Sequence, residues 1–205
     1  MLLCDIGNTS YHFLDEENDF KEDVLTFNPQ TIKEKVYYIS VNKNLENILQ
    51  SLENWIDLSA FIDKEKFYKT MGIDRVLAVE AVDNGIIIDA GSAVTVDVVK
   101  EGKFAGGFIY PGMAAMQKTY KDISPALDYS FNFELNLDKM PKNSQDAISY
   151  GYLKTLYCEV MSHKMPVILT GGDAAVFAKI FKEATVDERL IFTGMKKILQ
   201  KADIC

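Results

Sequence analysis

A short pattern that occurs twice constrains the fold of this chain more than any other feature of its sequence. One apolar run ends in D-I-G-N-T at residues 5–9, and a second ends in D-A-G-S-A at residues 89–93. Two more strand-like runs follow each copy, and then helices and further strands. A repeat of this length indicates a duplicated structural unit. We therefore predict an α/β protein of two facing βββαβα halves, each a mixed sheet flanked by helices.

The predicted boundary between the halves lies near residue 80. The first half, residues 1–80, holds the first copy of the pattern, and the second half, residues 81–205, holds the other. No stretch rich in Pro, Gly or Ser separates them, so we expect the halves to be closely joined.

Hydrophobic spacing assigns the individual elements. Short apolar or alternating runs predict strands at Leu2–Asp5, Tyr11–Leu14, Val24–Phe27, Val36–Val41, Ile86–Asp89, Val94–Val99, Phe104–Ile109 and Val167–Leu169. Helical spacing predicts helices at Asn44–Ile56, Val76–Val82, Met113–Lys121, Asp146–His163, Ala174–Lys182 and Gly194–Lys201.

The charge and the cysteines limit the kinds of partner. The 205 residues carry a formal net charge of −8 without a long run of Lys or Arg, which argues against a nucleic-acid partner. A nucleotide remains compatible, because backbone N–H groups and a cation bind phosphate locally. Three scattered cysteines, Cys4, Cys158 and Cys205, indicate neither a disulfide framework nor a metal site. We find no signal peptide and no apolar run near the ~20 residues that span a bilayer, so we expect a cytoplasmic protein without a membrane partner.

The first copy of the pattern has the parts of a phosphate-binding hairpin. Gly7 lets the backbone approach an anion, Asn8 and Thr9 carry hydrogen-bond donors, and Asp5 at the strand end can orient Mg²⁺. The same residue types are ordinary turn formers. Taken alone, the motif leaves a simple hairpin equally open.

The second copy has further hydroxyl donors. Gly91 again provides a small backbone, and Ser92 and Thr95 supply hydroxyl groups. Asp89 follows three isoleucines and would be poorly solvated unless it met a cation, so we predict a metal or monovalent cation there. A strand-end carboxylate satisfied by the protein itself is the alternative. Two facing hairpins can hold a polyphosphate from opposite sides, which favours the functional interpretation of both.

Three other segments carry weaker local signals. In G-I-D-R, residues 72–75, Asp74 could accept a proton from a hydroxyl and Arg75 could bind a carboxylate, although the residues alone favour a helix N-cap and a solvated Arg. G-G-F-I-Y-P-G, residues 106–112, fits a close approach to a ligand or a plain bulge and turn. T-G-G-D, residues 170–173, fits an adenosine or phosphate contact, or a capping Asp. Neither a P-loop nor a Rossmann fingerprint occurs.

These five segments, in this order, resemble those of the type III pantothenate kinases over nearly the whole chain. The resemblance implies the actin-like, ribonuclease-H-like fold of the acetate and sugar kinases. It implies ATP-dependent phosphorylation of the primary hydroxyl of pantothenate to 4'-phosphopantothenate, the first step of coenzyme A biosynthesis. It also implies a homodimer whose partner subunit helps to close the pantothenate pocket.

The resemblance assigns roles to the matched residues. It places pantothenate against Tyr68, Gly72, Ile73, Asp74, Arg75, Gly107 and Ser144. It places ATP and its phosphates against Asp5, Ile6, Gly7, Asn8, Thr9, Ser92, Thr95, Gly171 and Gly172. Within these sets Asp74 would be the general base and Asp5 would lie near Mg²⁺, and Asp89 would bind a monovalent cation, K⁺ or NH₄⁺.

The chain departs from the family pattern at Ser92, where Thr is usual, but the hydroxyl is kept. Two other functions fit the same fold: a non-catalytic ATP-binding regulator, and a small-molecule kinase with another acceptor. A regulator need not keep both Asp74 and Arg75. Their joint presence favours the kinase.

Overall fold

Two five-stranded sheets form the framework of the chain in a computed structural model, which describes residues 1–16 and 18–203. These residues divide into two compact units: Met1–Ala81 together with the chain from Arg189 onward, and Val82–Glu188. Cys205 lies outside the described residues.

The first unit is built on the sheet that contains the first copy of the pattern. Elements are numbered along the chain. Its strands are β1 (Leu2–Ile6), β2 (Ser10–Asp15), β3 (Asn18–Asp23), β4 (Val36–Ser40) and β5 (Trp55–Asp57), and its helices are α1 (Glu46–Gln50), α2 (Ile73–Ala81) and α6 (Leu190–Lys201). The spatial order is β3-β2-β1-β4-β5. The first three strands are antiparallel, and β4 and β5 continue the sheet in parallel with β1.

The second unit repeats this plan. Its strands are β6 (Gly85–Ala90), β7 (Ala93–Lys100), β8 (Lys103–Pro111), β9 (Val167–Thr170) and β10 (Thr185–Val186), and its helices are α3 (Met113–Ile123), α4 (Ser144–Ser162) and α5 (Ala174–Phe177). The order β8-β7-β6-β9-β10, with the same strand directions, matches the first sheet strand for strand. The predicted fold, two mixed sheets of one topology with flanking helices, is confirmed.

The apolar face of each strand explains where the cores form, because successive side chains point to opposite faces of a sheet. In the second unit Ile86, Ile88 and Val96 pack with Leu156 of α4 and Phe177 of α5. In the first unit the two faces of the sheet support separate clusters, one shared with α2 and α6 and one that includes Tyr11, Phe13, Tyr38 and Trp55.

Helix α6 packs in the first unit although it follows the second unit along the chain. Its Gly194 permits close contact with α2, since an added Cβ would lie 2.1 Å from the carbonyl oxygen of Leu77. Lys197 Nζ donates to the carbonyl of Ala81 at 3.0 Å, and Lys201 is ion-paired with Glu80 at 2.6 Å.

The predicted strand Val24–Phe27 is wrong. The third strand is the acidic stretch Asn18–Asp23, and residues 24–26 form a turn. Every residue of β3 is exposed, so no apolar alternation marks it; backbone pairing to β2 holds it at the edge of the sheet.

Two predicted helices are too long. The helix expected over Asn44–Ile56 is regular only over Glu46–Gln50, because Trp55 pairs with β4 and is buried at 5% exposure. The helix expected over Ala174–Lys182 is regular only over Ala174–Phe177. Within residues 1–16 and 18–203, no helix has the length and apolarity needed to cross a membrane.

Candidate active site

The turn between β1 and β2 carries the first predicted phosphate loop. Asp5 is partly buried near the end of β1, and Gly7 donates its N–H to the carbonyl of Ser10 at 2.9 Å. Asn8 and Thr9 at the tip are exposed. The hairpin therefore presents a carboxylate, an amide and a hydroxyl on one short loop.

The start of α2 carries the G-I-D-R segment. Asp74 Oδ1 accepts the backbone N–H of Arg75 at 2.8 Å, which orients the carboxylate in the first turn of the helix. A Cβ at Gly72 would lie 2.4 Å from the same oxygen, so a larger residue there would displace the Asp74 carboxylate. The helix N-terminus also places positive partial charge beside the carboxylate.

Arg75 is buried rather than solvated. It is 5% exposed, and its Nη1 donates to the hydroxyl of Tyr68 at 2.5 Å. The guanidinium carbon lies 5.8 Å from the centroid of the Tyr68 ring. Because Tyr68 itself is 44% exposed, the pair fixes the Arg75 fork beside an accessible aromatic side chain.

In the second unit, Asp89 lies near the end of β6, between two hydroxyl side chains. Its register partners are Thr95 on β7 and Thr170 on β9. Residues directly opposite each other in a sheet point to the same face. The carboxylate therefore has a threonine on either side.

The T-G-G-D turn packs directly against Asp89. Gly171 has φ +87, and an added Cβ would lie 2.3 Å from Asp89 Oδ1 and 2.5 Å from the carbonyl oxygen of Ala90. The N–H of Asp173 donates to that same carbonyl at 2.9 Å, and burial raises the pKa of Asp173. Nothing lies within 4 Å of a Cβ added at Gly172, so only the first glycine of the pair is sterically required.

The end of the 106–112 segment also meets the second hairpin. Gly91 donates its N–H to the carbonyl of Ala93 at 3.0 Å, and Ser92 is exposed at the tip. A Cβ at Gly112 would lie 2.3 Å from the carbonyl oxygen of Gly91 and 2.4 Å from that of Ser92. This glycine is therefore needed for the close approach of β8 to the hairpin.

Tyr152 of α4 holds the same segment from the other side. Its hydroxyl donates to the carbonyl of Pro111 at 2.7 Å, and the hydroxyl of Tyr110 donates to the carbonyl of Tyr152 at 3.1 Å. The two rings stack with centroids 5.0 Å apart. Sequence reasoning missed Tyr152, because nothing in its neighbourhood distinguishes it from a core aromatic.

The second unit thus brings together the hairpin at Asp89, the end of β8 and the T-G-G-D turn. Two predicted substrate residues lie elsewhere in that unit: Gly107 is opposite Asp97 in the middle of β8, and Ser144 is the exposed first residue of α4. In the first unit, the hairpin and the G-I-D-R segment lie on β1–β2 and α2. Ile6 is fully buried, so only its backbone could reach a ligand. Sequence reasoning gave no individual role to Thr170, which strand register places beside Asp89, or to Gly112, which lies against the second hairpin.

The oxygen-bearing groups suit cations that are bound together with substrate. Within residues 1–16 and 18–203, no three His, Cys, Asp or Glu side chains are grouped to hold a metal ion. One carboxylate on the same short loop as an amide and a hydroxyl, as at Asp5, fits Mg²⁺ that keeps water and phosphate ligands. The groups placed beside Asp89 include two threonine hydroxyls and the carbonyl of Ala90, which are oxygen ligands suited to a monovalent cation.

Comparison with known proteins identifies the family. A family model for type III pantothenate kinase matches residues 56–163. A type III pantothenate kinase of Sulfurimonas denitrificans is 60% identical over 205 residues, covering 100% of both chains. One of Helicobacter hepaticus is 41% identical over 204 residues, covering 98% of this chain and 99% of the relative.

The chain belongs to the type III pantothenate kinase family.

Membership of the type III pantothenate kinases confirms the resemblance inferred from the five segments. A solved structure from Campylobacter jejuni covers 100% of both chains with a TM-score of 0.90 and 38% identity; that protein is provisionally assigned to the Baf family of transcriptional activators. MreB5 of Spiroplasma citri bound to ADP has a TM-score of 0.53 at 11% identity, covering 98% of this chain and 96% of that one. At that identity the likeness shows the fold alone, and it agrees with the actin-like architecture predicted for the type III pantothenate kinases.

Proposed function

We propose that this chain transfers the γ-phosphoryl group of ATP to the primary hydroxyl of pantothenate, which yields 4'-phosphopantothenate and begins coenzyme A biosynthesis. The observation that carries the proposal is the G-I-D-R segment, with Asp74 and Arg75 held at the start of α2, in a chain 60% identical along its whole length to a type III pantothenate kinase. Such transfer depends mainly on positioning and on charge stabilisation.

Asp74 is the proposed general base. Its Oδ1 is engaged by the N–H of Arg75, which fixes the carboxylate and leaves Oδ2 as the atom to accept the proton of the attacking hydroxyl. A positioned base of this kind contributes about 10²–10⁴-fold to a rate.

Arg75 is the proposed anchor for the carboxylate of pantothenate. A guanidinium binds a carboxylate in a two-pronged geometry, and the bond to Tyr68 orients it in advance. Gly72 and Ile73 adjoin this pair, and Gly107 and Ser144 are proposed as further substrate contacts.

The two hairpins are the proposed phosphate contacts. Asn8 and Thr9 would donate to phosphate from the first unit, and Ser92, Thr95 and the backbone at Gly171–Gly172 from the second. Asp5 would hold Mg²⁺ together with the phosphates, and Asp89 would hold K⁺ or NH₄⁺. These cations would offset the phosphate charge, and that of the acidic chain itself.

We also propose a homodimer in the cytoplasm. None of the 11 residues of α3 is buried, and Ile123 at its end is 68% exposed. The adjoining edge strand β8 exposes Ile109 at 64%. A second copy covering β8 and α3 would remove this apolar surface from water. Light scattering should give a dimer mass for the native chain and a monomer for Ile109→Glu; a monomeric native chain would contradict the proposal.

A regulatory function is the second candidate, and the name of the Campylobacter jejuni structure supports it. It predicts ATP binding without pantothenate-dependent turnover. A kinase with another acceptor predicts turnover with a different alcohol.

An ADP-release assay distinguishes these functions. We expect ADP release from MgATP to require pantothenate and to rise when K⁺ replaces a large organic cation. ATP binding without pantothenate-dependent release in K⁺ would favour the regulator, and release with another alcohol alone would favour the third function.

A further inference from the structure

A large groove lies at the end of the second sheet where β9 begins. Its volume is about 950 Å³, and Val167, the first residue of β9, borders it. Thr170, the last residue of the same strand, lies beside Asp89. The strand between them spans about 10 Å. The groove is therefore separate from the proposed ATP contacts of this unit.

Apolar side chains form the floor of the groove. Tyr157 and Met161 come from α4, and Leu135, Met165 and Phe181 come from the neighbouring loops. The rings of Tyr157 and Phe181 lie 5.5 Å apart, and Met161 is 40% exposed. The floor thus continues the hydrophobic core of this unit out to solvent.

The groove stays open because the segments around it are irregular. Helix α5 ends at Phe177, so no regular helix covers the floor from residue 178 to β10. The loop segment 134–138 also lines the groove. Lys179 Nζ binds Glu134 Oε1 at 2.7 Å and ties the two walls together.

The rim is richer in ammonium groups than the acidic chain as a whole. Glu134 is paired with Lys179, and Asp138 with Lys154 at 3.8 Å. Lys164 and Lys182 add two further ammonium groups to the lining, against one further carboxylate, that of Glu183. The hydrogen bond and the charge of Lys179 hold the pKa of Glu134 below its usual value, so this carboxylate already has its own ammonium partner.

We propose that this groove binds a small amphipathic anion. The apolar chain or ring of the ligand lies on Tyr157 and Phe181, and its single carboxylate, sulfonate or phosphate group meets Lys164 and Lys182. Ligand sites typically measure about 300–1,000 Å³ and combine an apolar lining with a few placed polar groups. This site does not depend on the proposed kinase reaction.

Two matched fluorescent probes test the proposal. Anilinonaphthalene sulfonate carries an aromatic body and one anionic group, and phenylnaphthylamine has a similar body without the charge. We expect the sulfonate to bind the folded native chain with one-to-one stoichiometry, and saturating MgATP not to displace it. Lys164→Glu with Lys182→Glu should weaken binding of the sulfonate by about tenfold and leave binding of the neutral probe nearly unchanged. Met161→Glu should weaken binding of both probes.

Charge-matched controls separate this site from general electrostatics. Lys33→Glu with Lys196→Glu reverses two exposed charges in the first unit and should leave both probes unaffected. Equal weakening by the two double variants, displacement by MgATP, or the absence of stoichiometric binding to a natively folded chain would each overturn the proposal. The stoichiometry of probe binding, the effect of MgATP on it and the comparison of the two double variants can all be measured even if the kinase assay fails. The two proposals can therefore fail separately.

Discussion

The two hairpins have the same place in sheets of the same topology, yet they differ in how tightly their surroundings hold them. The first has three residues between its strands and a Gly7 whose added Cβ would reach no atom closer than 3.7 Å. The second has two residues between its strands and is met by Gly112 and Gly171, where an added Cβ would lie within 2.5 Å of its backbone. The first loop is open and rich in donors, whereas the second is locked around Asp89.

This difference suits two unlike tasks. An open loop with an amide and a hydroxyl at its tip can adjust to Mg²⁺ and phosphates that arrive together. A locked carboxylate between two threonines can hold a dehydrated cation in one position. Duplication thus explains the shared strand order, and the residues packed around each turn explain the proposed division of labour.

The largest expected effect comes from neither hairpin but from Asp74. Asp74→Asn keeps an oxygen that can accept the N–H of Arg75, so the chain should fold and bind ATP normally. Turnover should fall by about 10²–10⁴-fold, because an amide cannot accept the proton. Calorimetry with ATP and steady-state kinetics check the two halves of this prediction, and near-normal kcat would remove Asp74 as the base.

Replacing each carboxylate by an amide tests the proposed difference between the two hairpins. Asp5→Asn should raise the Mg²⁺ concentration needed for half-maximal activity by about tenfold, equivalent to about 1.4 kcal/mol. Asp89→Asn should do the same for K⁺ and leave the Mg²⁺ requirement nearly unchanged. Titrating each cation at saturation of the other measures this, together with calorimetric ATP binding. If both variants change the requirements for both cations equally, the hairpins do not have separate roles.

Gly171 should reveal the tighter packing of the second hairpin as a loss of stability. Gly171→Ala places a Cβ against Asp89 and Ala90 at a positive φ, so we expect the free energy of unfolding to fall by about 2 kcal/mol. Gly172→Ala and Gly7→Ala, which meet no close atom, should each change it by about 0.5 kcal/mol or less. Denaturant melts measure all three, and equal losses would mean that the second hairpin is not specially constrained.

The smallest effect concerns an ion pair beside the first hairpin. Burial raises the pKa of Asp19, but hydrogen bonds from His12 and Arg189 outweigh it and hold the pKa below its usual value. A lowered carboxylate pKa stabilises the fold above the unfolded-state pKa and loses that effect as pH falls through the folded-state value. Asp19→Asn should therefore cost about 0.5 kcal/mol at neutral pH. The cost should shrink as pH falls below 3.8 and vanish only below the still lower folded-state pKa.

Urea melts at neutral pH and at a pH below the folded-state pKa of Asp19 measure this cost. Asp138→Asn, at a side chain 91% exposed, is the control and should show little change at either pH. A loss for Asp19→Asn that persisted in acid would point to packing rather than charge.

The fold could be predicted because both hairpins combine an apolar strand with turn residues in a recognisable order. Edge elements could not. β3 is exposed throughout, and β10 has two residues, too few to show a period. Nor could any local pattern reveal that α6 returns to pack on α2, since that contact depends on Gly194 meeting a backbone more than a hundred residues away.

For the candidate site, the sequence identified segments better than interactions. The sequence allowed Arg75 to be either a solvated residue or a ligand contact. Only its burial and its hydrogen bond to Tyr68 exclude the solvated form. The pairing of Asp89 with Thr170 depends on strand register, and the support from Tyr152 depends on a helix packed from elsewhere in the chain. Long-range packing of this kind leaves no periodic signal.

The central claim is that this chain phosphorylates pantothenate, and phosphorus NMR of the complete reaction tests it most directly. With MgATP, pantothenate and K⁺, the account predicts a new phosphomonoester resonance that grows in step with ADP and is absent with Asp74→Asn. ADP formed with orthophosphate alone, or no ATP consumption by a chain that binds ATP, would contradict it.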